Sequence, residues 1–226
     1  MGKIPIISPK VDKSDKKPCL CTAFSFNHGN HSKMNNRDKE LLKSILSIPT
    51  RYKQEQQVID FLVEWCESKR YSYEVDDIGN VLVTKGQVNE NQYYPLICSH
   101  IDGVHPFENK TIIEDKKNEI LYAVNEEGLP VGCSGDDLCG TYCCLKLLDI
   151  LDCVKVGFYV SEEIGFIGSS HSLTTKRNWY NDIGYVIEFD SPGDRQVTEV
   201  CNGQRLFDRD REYFNLVDPI LQLFIP

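Results

Sequence analysis

Three short apolar runs of this chain each end in a cluster of acidic or imidazole side chains. They read LICSHID over residues 96–102, VGFYVSEE over 156–163 and VIEFD over 186–190. Short runs rich in Val, Ile and Phe are typical of strands that are buried on both faces of a sheet. Ligands of open α/β sheets bind outside the carboxyl ends of such strands, which is where the polar residues stand here. We therefore expect the three clusters to meet at one edge of a single sheet.

A fourth cluster stands where a loop enters a helix. Asp136 and Asp137 follow Gly135 and immediately precede the apolar helical segment Leu138–Leu151. Carboxylates that are packed together repel one another, and each costs several kcal/mol to remove from water unless a cation accompanies it. Zinc accepts both imidazole nitrogen and carboxylate oxygen as ligands. Four such clusters in one place therefore predict a site for two divalent cations, with zinc as the cofactor.

His100 and Asp102 carry a further signal inside the first cluster. Side chains two residues apart on a strand face the same side, so Asp102 can fix the tautomer of the His100 ring. Taken singly, each cluster has a more ordinary structural explanation: a surface pair, a solvated acidic face, or an acidic helix N-terminus. Their common position at strand ends favours the metal site.

The remaining periodicity predicts helices that alternate with buried strands. The predicted helices are Arg37–Ile48, Gln54–Arg70, Leu138–Leu151 and Arg209–Phe224. The predicted strands are Tyr71–Val75, Asn80–Thr84, Tyr94–Cys98, Lys155–Val160 and Tyr185–Phe189, with a hairpin over Ile112–Glu114 and Ile120–Val124. This order indicates an α/β fold with a mixed, largely parallel sheet flanked by helices.

Residues 1–36 differ from the rest of the chain and predict a poorly ordered N-terminal arm. They carry six Lys and two Asp and show no apolar periodicity. The arm contains the ligand types of a zinc knuckle, although their spacing matches no common zinc finger. Those residues are Cys19, Cys21, His28 and His31.

Charge and hydropathy exclude several classes of function. The net charge of −9 argues against nucleic acid as the main partner. No run approaches the roughly 18 apolar residues that a membrane-spanning helix needs. The first apolar run is short and contains Pro5, which does not fit a signal peptide. We therefore interpret the ten cysteines as reduced, mostly buried thiols, and we expect a cytosolic protein with no membrane partner.

Two histidines near the clusters have two interpretations each, and Glu188 is a further candidate. His105 follows the first cluster and either lines the cleft or faces solvent. His171 stands on a predicted helix, where a surface histidine is the ordinary expectation and an improvised metal ligand the alternative. Glu188 lies two residues before Asp190 and so shares its strand face, which makes it a candidate to support the site from behind.

Four segments together resemble the cocatalytic di-zinc exopeptidases. They are SHIDGVHP (99–106), GDDLCG (135–140), SEEIGFIGS (161–169) and IEFDSPGD (187–194). Their order and spacing are similar to those of a family that includes peptidase T, the glutamate-releasing carboxypeptidases and the acetylornithine deacetylases. The resemblance covers residues 36–205 and is nearest to the peptidase T type. It implies that residues 37–226 form a zinc-peptidase catalytic domain.

The resemblance implies a set of metal ligands. His100 and Asp190 match ligands of one zinc ion, and Asp136 matches the carboxylate that bridges both ions. In the family a cis peptide bond follows this aspartate, which places it here between Asp136 and Asp137. Glu163 matches a ligand of the second zinc ion.

The resemblance also implies two catalytic residues. Asp102 matches the carboxylate that stands behind the histidine ligand. Glu162 matches the general base that takes a proton from the bridging water and returns it to the leaving amine. The implied reaction is the metal-assisted hydrolysis of an amide bond in a small peptide.

One departure from the family limits this expectation. Family members have a lid domain and a last histidine ligand near the C-terminus, whereas no histidine follows His171 here. We therefore expect a domain that is incomplete at its C-terminus, without the lid, and a doubtful second zinc ion. The predicted function is a zinc exopeptidase of the aminopeptidase or tripeptidase type. The alternatives are a non-catalytic remnant that binds metal and an amidohydrolase that acts on N-acyl amino acids.

Overall fold

The computed structural model of the chain describes residues 24–25, 34–89, 92–190, 200–201 and 204–205. The helix predicted over Arg209–Phe224, the zinc-knuckle residues and most of the N-terminal arm lie outside these ranges. The helices are α1 (Asn36–Ser47), α2 (Gln56–Lys69), α3 (Gly135–Ile150) and α4 (Ile167–Thr175), with a 3-10 helix at Arg177–Tyr180. The strands are β1 (Phe24–Ser25), β2 (Ser72–Val75), β3 (Val81–Lys85), β4 (Tyr94–His100), β5 (Thr111–Asp115), β6 (Ile120–Val124), β7 (Pro130–Val131), β8 (Val154–Tyr159), β9 (Ile183–Glu188), β10 (Val200–Cys201) and β11 (Gln204–Arg205).

A five-stranded sheet with the order β2-β3-β8-β4-β9 carries the fold. Strands β2, β3 and β8 pair antiparallel, whereas β4 pairs parallel with both β8 and β9. Cys98 of β4 lies opposite Gly157 of β8 and Glu188 of β9, so the three strands end at nearly the same level. The prediction of an α/β fold with a mixed sheet flanked by helices is confirmed, and the parallel pairings are those that carry the polar strand ends.

A smaller antiparallel sheet contains β1, β6, β5 and β7. Its centre is the β5–β6 hairpin, in which Thr111 pairs with Val124 and Asp115 with Ile120. The Asp115 carboxylate accepts the backbone N–H groups of Lys117 and Asn118, which closes the turn. The hairpin predicted from the sequence is therefore confirmed.

The first two helices begin and end within two residues of the bounds predicted from the sequence. The Asn35 side chain accepts the backbone N–H of Asp38 and caps α1. The helix stops at Ile48, which is extended, as expected of a residue that precedes proline. Arg70 adopts a left-handed conformation and ends α2. Glu55 stands at the start of α2, but its side chain does not cap the helix.

The main core lies between one face of the large sheet and helices α1, α2 and α3. Ile97, Val156 and Phe158 of the sheet and Leu145 and Leu148 of α3 are fully buried there. The seven cysteines between Cys66 and Cys153 form no disulfide, and five of them are buried. None of the described helices is both long and apolar enough to span a lipid bilayer.

The other face of the sheet carries a buried lysine. Lys155 of β8 is 5% exposed. Its ammonium donates to the backbone carbonyl of Trp179 at 2.5 Å and to the carboxylate of Asp182. The same nitrogen lies 5.0 Å from the ring centres of Tyr94 and Trp179. Lys155 thereby fastens the 3-10 helix and the start of β9 to the centre of the sheet.

Replacing Lys155 with methionine should test this connection. Lys155→Met keeps the apolar stem but removes the ammonium that donates to both the Trp179 carbonyl and the Asp182 carboxylate, so we expect a loss of about 1–3 kcal/mol of unfolding free energy. Urea denaturation measures it. The matched control is Lys117→Met on the exposed hairpin turn, which should change stability by less than about 0.5 kcal/mol. Equal stability of the two variants would contradict this role.

Candidate metal centre

His100 stands at the centre of the polar strand ends. It is the last residue of β4 and is 1% exposed. Its Nε2 atom lies 3.0 Å from Oδ1 of Asp136, 3.7 Å from Oδ1 of Asp190 and 4.0 Å from Oε2 of Glu162. One ring nitrogen is therefore faced by carboxylates from three separate segments of the chain.

Asp102 connects the end of β4 to the loop that follows β8. The residue is fully buried, and its Oδ1 atom lies 3.3 Å from Nδ1 of His100. Oδ1 also accepts the backbone N–H of Glu162 at 2.9 Å, and Oδ2 accepts that of Glu163 at 3.2 Å. The same carboxylate thus stands behind the imidazole and fixes the backbone of both glutamates.

The loop that enters α3 presents two aspartates in different environments. The peptide bond between Asp136 and Asp137 is cis, and both residues have non-helical backbone angles. The Asp136 side chain is 72% exposed and lies at Nε2 of His100. Asp137 is buried and accepts the backbone N–H of Gly140 through Oδ1. Its Oδ2 atom is buried and has no hydrogen-bond partner among the described residues.

The structure brings all four ligands predicted from the sequence together, and it adds Asp137. Two groups of three side chains have ligand atoms within 4.8 Å of one another. One group is His100, Asp136 and Glu163, and the other is His100, Asp137 and Asp190. One imidazole and four carboxylates are hard or borderline donors, a combination that suits zinc and similar divalent ions.

Sequence reasoning placed Asp137 in the fourth cluster but did not identify it as a candidate metal ligand. The signal that could have found it is Gly140, three residues later. A Cβ atom at Gly140 would lie 2.3 Å from Oδ1 of Asp137, so only glycine leaves room for the buried carboxylate. The GDDLCG segment therefore supplies both the aspartates and the glycine that leaves room for the Asp137 side chain.

The pKa shifts of the side chains in the cluster indicate an excess of negative charge. Burial raises the pKa of Glu162 to about 7, and the charges of Asp190 and Glu163 add to this effect. Burial also raises the pKa of Asp137 well above its usual value. Although burial alone would lower it, the neighbouring carboxylates of Asp102, Asp136 and Asp190 hold the pKa of His100 well above its usual range. A bound divalent cation would relieve this charge.

His105 and Glu188 belong to neither ligand group. The His105 ring lies against the backbone of Gly132, where a Cβ atom would stand 2.2 Å from it. Burial, together with the positive charge of Lys110, lowers the pKa of His105. Glu188 is exposed on β9, and within the described part of the chain it makes no hydrogen bond to the cluster.

His171 lies in a separate cluster on α4. Its Nε2 atom is 2.7 Å from Oδ1 of Asp77. Asp76 completes a group with metal-ligand spacing, but its carboxylate is already occupied. Oδ1 accepts three backbone N–H groups of residues 78–80, and Oδ2 accepts the side-chain amide of Asn80. The arrangement is a hydrogen-bonded turn with an ion pair at its rim, and it keeps His171 away from the centre at His100.

Comparisons with known proteins give one partial match at the level of sequence. No family model matches the chain. Over 90 residues, or 39% of the chain, the sequence is 29% identical to the cytosol non-specific dipeptidase of Escherichia coli, and the match covers 19% of that protein. This similarity is partial in both chains.

Solved structures of two peptidases share the fold of this chain. A tripeptidase from Staphylococcus aureus has a TM-score of 0.58 and 18% identity, with 72% of this chain and 45% of that chain covered. The aminopeptidase PepT of Bacillus cereus has a TM-score of 0.57 and 19% identity, with 70% and 43% covered. The chain therefore spans less than half the length of these proteins, and it shares their fold over the matched part.

Proposed function

We propose that this chain is a zinc-dependent exopeptidase of the di-zinc type, which hydrolyses small peptides in the manner of an aminopeptidase or tripeptidase in the cytosol. One observation carries the proposal: the buried imidazole of His100 is faced by carboxylates from three segments, and one of them, Glu162, has its pKa near neutrality. The similarity of fold to a tripeptidase and an aminopeptidase supports the same reaction class.

The donors of the cluster fit a divalent metal. Among the described residues, Oδ2 of Asp137 is a buried carboxylate oxygen without a hydrogen-bond partner, which is costly unless a cation or proton satisfies it. In the proposed arrangement His100 and Asp190 would hold one ion, Glu163 would hold the second, and Asp136 would serve both. Bound zinc would supply Lewis acidity, which acidifies a water molecule and polarises the substrate carbonyl.

Glu162 would carry the proton in this reaction. A general base is most effective when its pKa lies near the working pH, and burial brings the pKa of Glu162 to about 7. The carboxylate accepts a proton from the attacking water while the new C–O bond forms. It then donates that proton to the amine nitrogen as the C–N bond breaks. Asp102 holds the backbone N–H of Glu162, so the base is fixed in place while it works.

A second candidate function is metal binding without turnover. The observation that favours it is that both ligand groups use the same imidazole, that of His100. Zinc sites ordinarily take three protein ligands even when they are catalytic. If His100 serves the ion at Asp190, the ion at Glu163 is held by carboxylates alone and binds more weakly. Peptide hydrolysis by the unaltered, zinc-loaded chain distinguishes the two functions.

Zinc should stabilise the fold through His100. At a free concentration one hundred times its dissociation constant, zinc should add about 2.7 kcal/mol to the unfolding free energy. Thermal unfolding of EDTA-treated protein with and without added zinc measures the increase in Tm. His100→Ala should abolish that increase, whereas the matched control His171→Ala should retain it. An undiminished increase in His100→Ala would contradict the assigned centre.

Zinc affinity should rise with pH. The pKa of His100 is held well above its usual range, so its ring carries a proton near neutrality that zinc must displace. For each proton displaced, the affinity should increase about tenfold per pH unit between about pH 6 and pH 7.5. Isothermal titration calorimetry in two buffers of different ionisation enthalpy measures both the affinity and the number of protons released. A pH-independent affinity would show that the ring is not a ligand.

Replacing Glu162 should separate catalysis from metal binding. Glu162→Gln removes the proton acceptor but keeps the size of the side chain, so peptide hydrolysis should fall by at least about 10²-fold. The zinc-dependent increase in Tm should remain. The matched control is Glu127→Gln, in the exposed turn after β6, which should leave the rate unchanged. If zinc binds but the unaltered chain shows no turnover, the metal-binding function is the correct one; if Glu162→Gln is fully active, the assigned base is wrong.

A further inference from the structure

The loop between β8 and α4 carries both Glu162 and Glu163. Ser161, Gly165 and Phe166 in this loop have positive φ angles. The loop is closed by two backbone hydrogen bonds, from Ile167 N–H to the Ser161 carbonyl and from Gly168 N–H to the Val160 carbonyl. The direction of both glutamate side chains therefore depends on how this irregular backbone is held.

Three successive backbone N–H groups of the loop donate to two buried carboxylates. Asp102 accepts the N–H groups of Glu162 and Glu163. Glu55 accepts the preceding one, from Ser161 at 3.0 Å, and also the Ser161 hydroxyl at 3.0 Å. The two carboxylates come from different segments of the chain, one before α2 and one after β4. Together they fix the backbone on both sides of the proposed base.

Glu55 is a buried carboxylate, and hydrogen bonds to its side chain offset the free-energy cost of removing it from water. It is 6% exposed, and among the described residues it forms no ion pair. Its Oε1 atom accepts three hydrogen bonds, the two from Ser161 and one from the backbone N–H of Lys53 at 2.9 Å. A buried carboxylate needs such partners to remain stable. The side chain is thus committed to the loop and not to capping α2.

Asn80 holds the two ends of the same loop. It is fully buried at the start of β3. Its Oδ1 atom accepts the N–H of Val160 at 3.0 Å, and its Nδ2 atom donates to the carbonyl of Gly168 at 2.9 Å. The other hydrogen of Nδ2 goes to Asp76 at 2.7 Å. Asn80 fixes where the loop begins and ends, which leaves Glu55 and Asp102 to set the path between.

We propose that Glu55 is a positioning residue for Glu162, acting through the backbone of Ser161. The part of this inference that concerns turnover rests on the proposed function, whereas the anchoring of the loop does not. A displacement of about 1 Å in a reacting group can cost on the order of 10²-fold in rate. A residue that lies outside the ligand groups and is separated by 106 positions from Ser161 would then control kcat.

The kinetic test compares two substitutions of Glu55. Glu55→Gln keeps an oxygen that can accept from Ser161, and kcat should stay within about threefold of the unaltered protein. Glu55→Ala removes the acceptor, and kcat should fall by about 10- to 100-fold with KM changed by less than about threefold. The zinc-dependent increase in Tm should persist in both. Glu64→Ala, on the exposed side of α2, is the control and should match the unaltered protein.

A second measurement tests the anchoring of the loop and does not require the protein to hydrolyse peptides. Amide hydrogen exchange by mass spectrometry reports the backbone N–H groups of residues 161–163 directly. Glu55→Ala should accelerate their exchange by at least about tenfold while segments in α1 and β5 stay unchanged, and Glu55→Gln should restore protection. Unchanged exchange in a folded Glu55→Ala protein would overturn the proposal, as would an equal loss of kcat in the Gln and Ala variants. If exchange behaves as expected but no variant hydrolyses peptides, the proposed function fails and the anchoring role stands.

Discussion

The buried carboxylate of Asp102 is the interaction on which the arrangement of the site depends. It contacts Nδ1 of His100 on one side and accepts the N–H groups of Glu162 and Glu163 on the other. Strands β4 and β8 are parallel neighbours, and these groups lie at or just after their ends. The Asp102 side chain therefore fixes the position of the imidazole relative to the two glutamates. Glu55 holds the preceding residue of the same loop, since it accepts the N–H of Ser161. The loop with the proposed base is therefore held by two buried carboxylates.

The same concentration of acids makes the site unfavourable without a cation. The pKa values of Glu162 and Asp137 are raised chiefly by burial, and that of His100 is raised by the aspartates around it. All three pKa values are raised, and each of these shifts reduces the net negative charge of the cluster. Proton uptake is therefore one way to relieve the charge, and a divalent ion is the other. The proposed metal dependence follows from this electrostatic requirement as well as from the ligand types.

Much of the fold was predictable because its signals are local. The helices α1 and α2 follow from apolar periodicity and from Pro49, and the β5–β6 hairpin follows from alternation around a turn. Helix α3 begins at Gly135, earlier than the predicted Leu138, because the two aspartates form an irregular first turn that apolar periodicity does not register. The convergence of His100, Asp136, Glu163 and Asp190 could be expected because parallel strands of one sheet end at the same edge. Their catalytic roles stay predictions.

The sequence by itself determined which segments become buried strands and which polar residues stand at their ends, since both depend on the order of apolar and polar residues over a few positions. Only the tertiary structure decided that β4 lies between β8 and β9, that Asp137 turns inward against Gly140, and that Glu55 and Asn80 hold the loop of Glu162. These contacts join residues as many as 106 positions apart in the chain. A single buried hydrogen bond of that kind has no periodicity in the sequence, because its partner is set by packing of the whole domain.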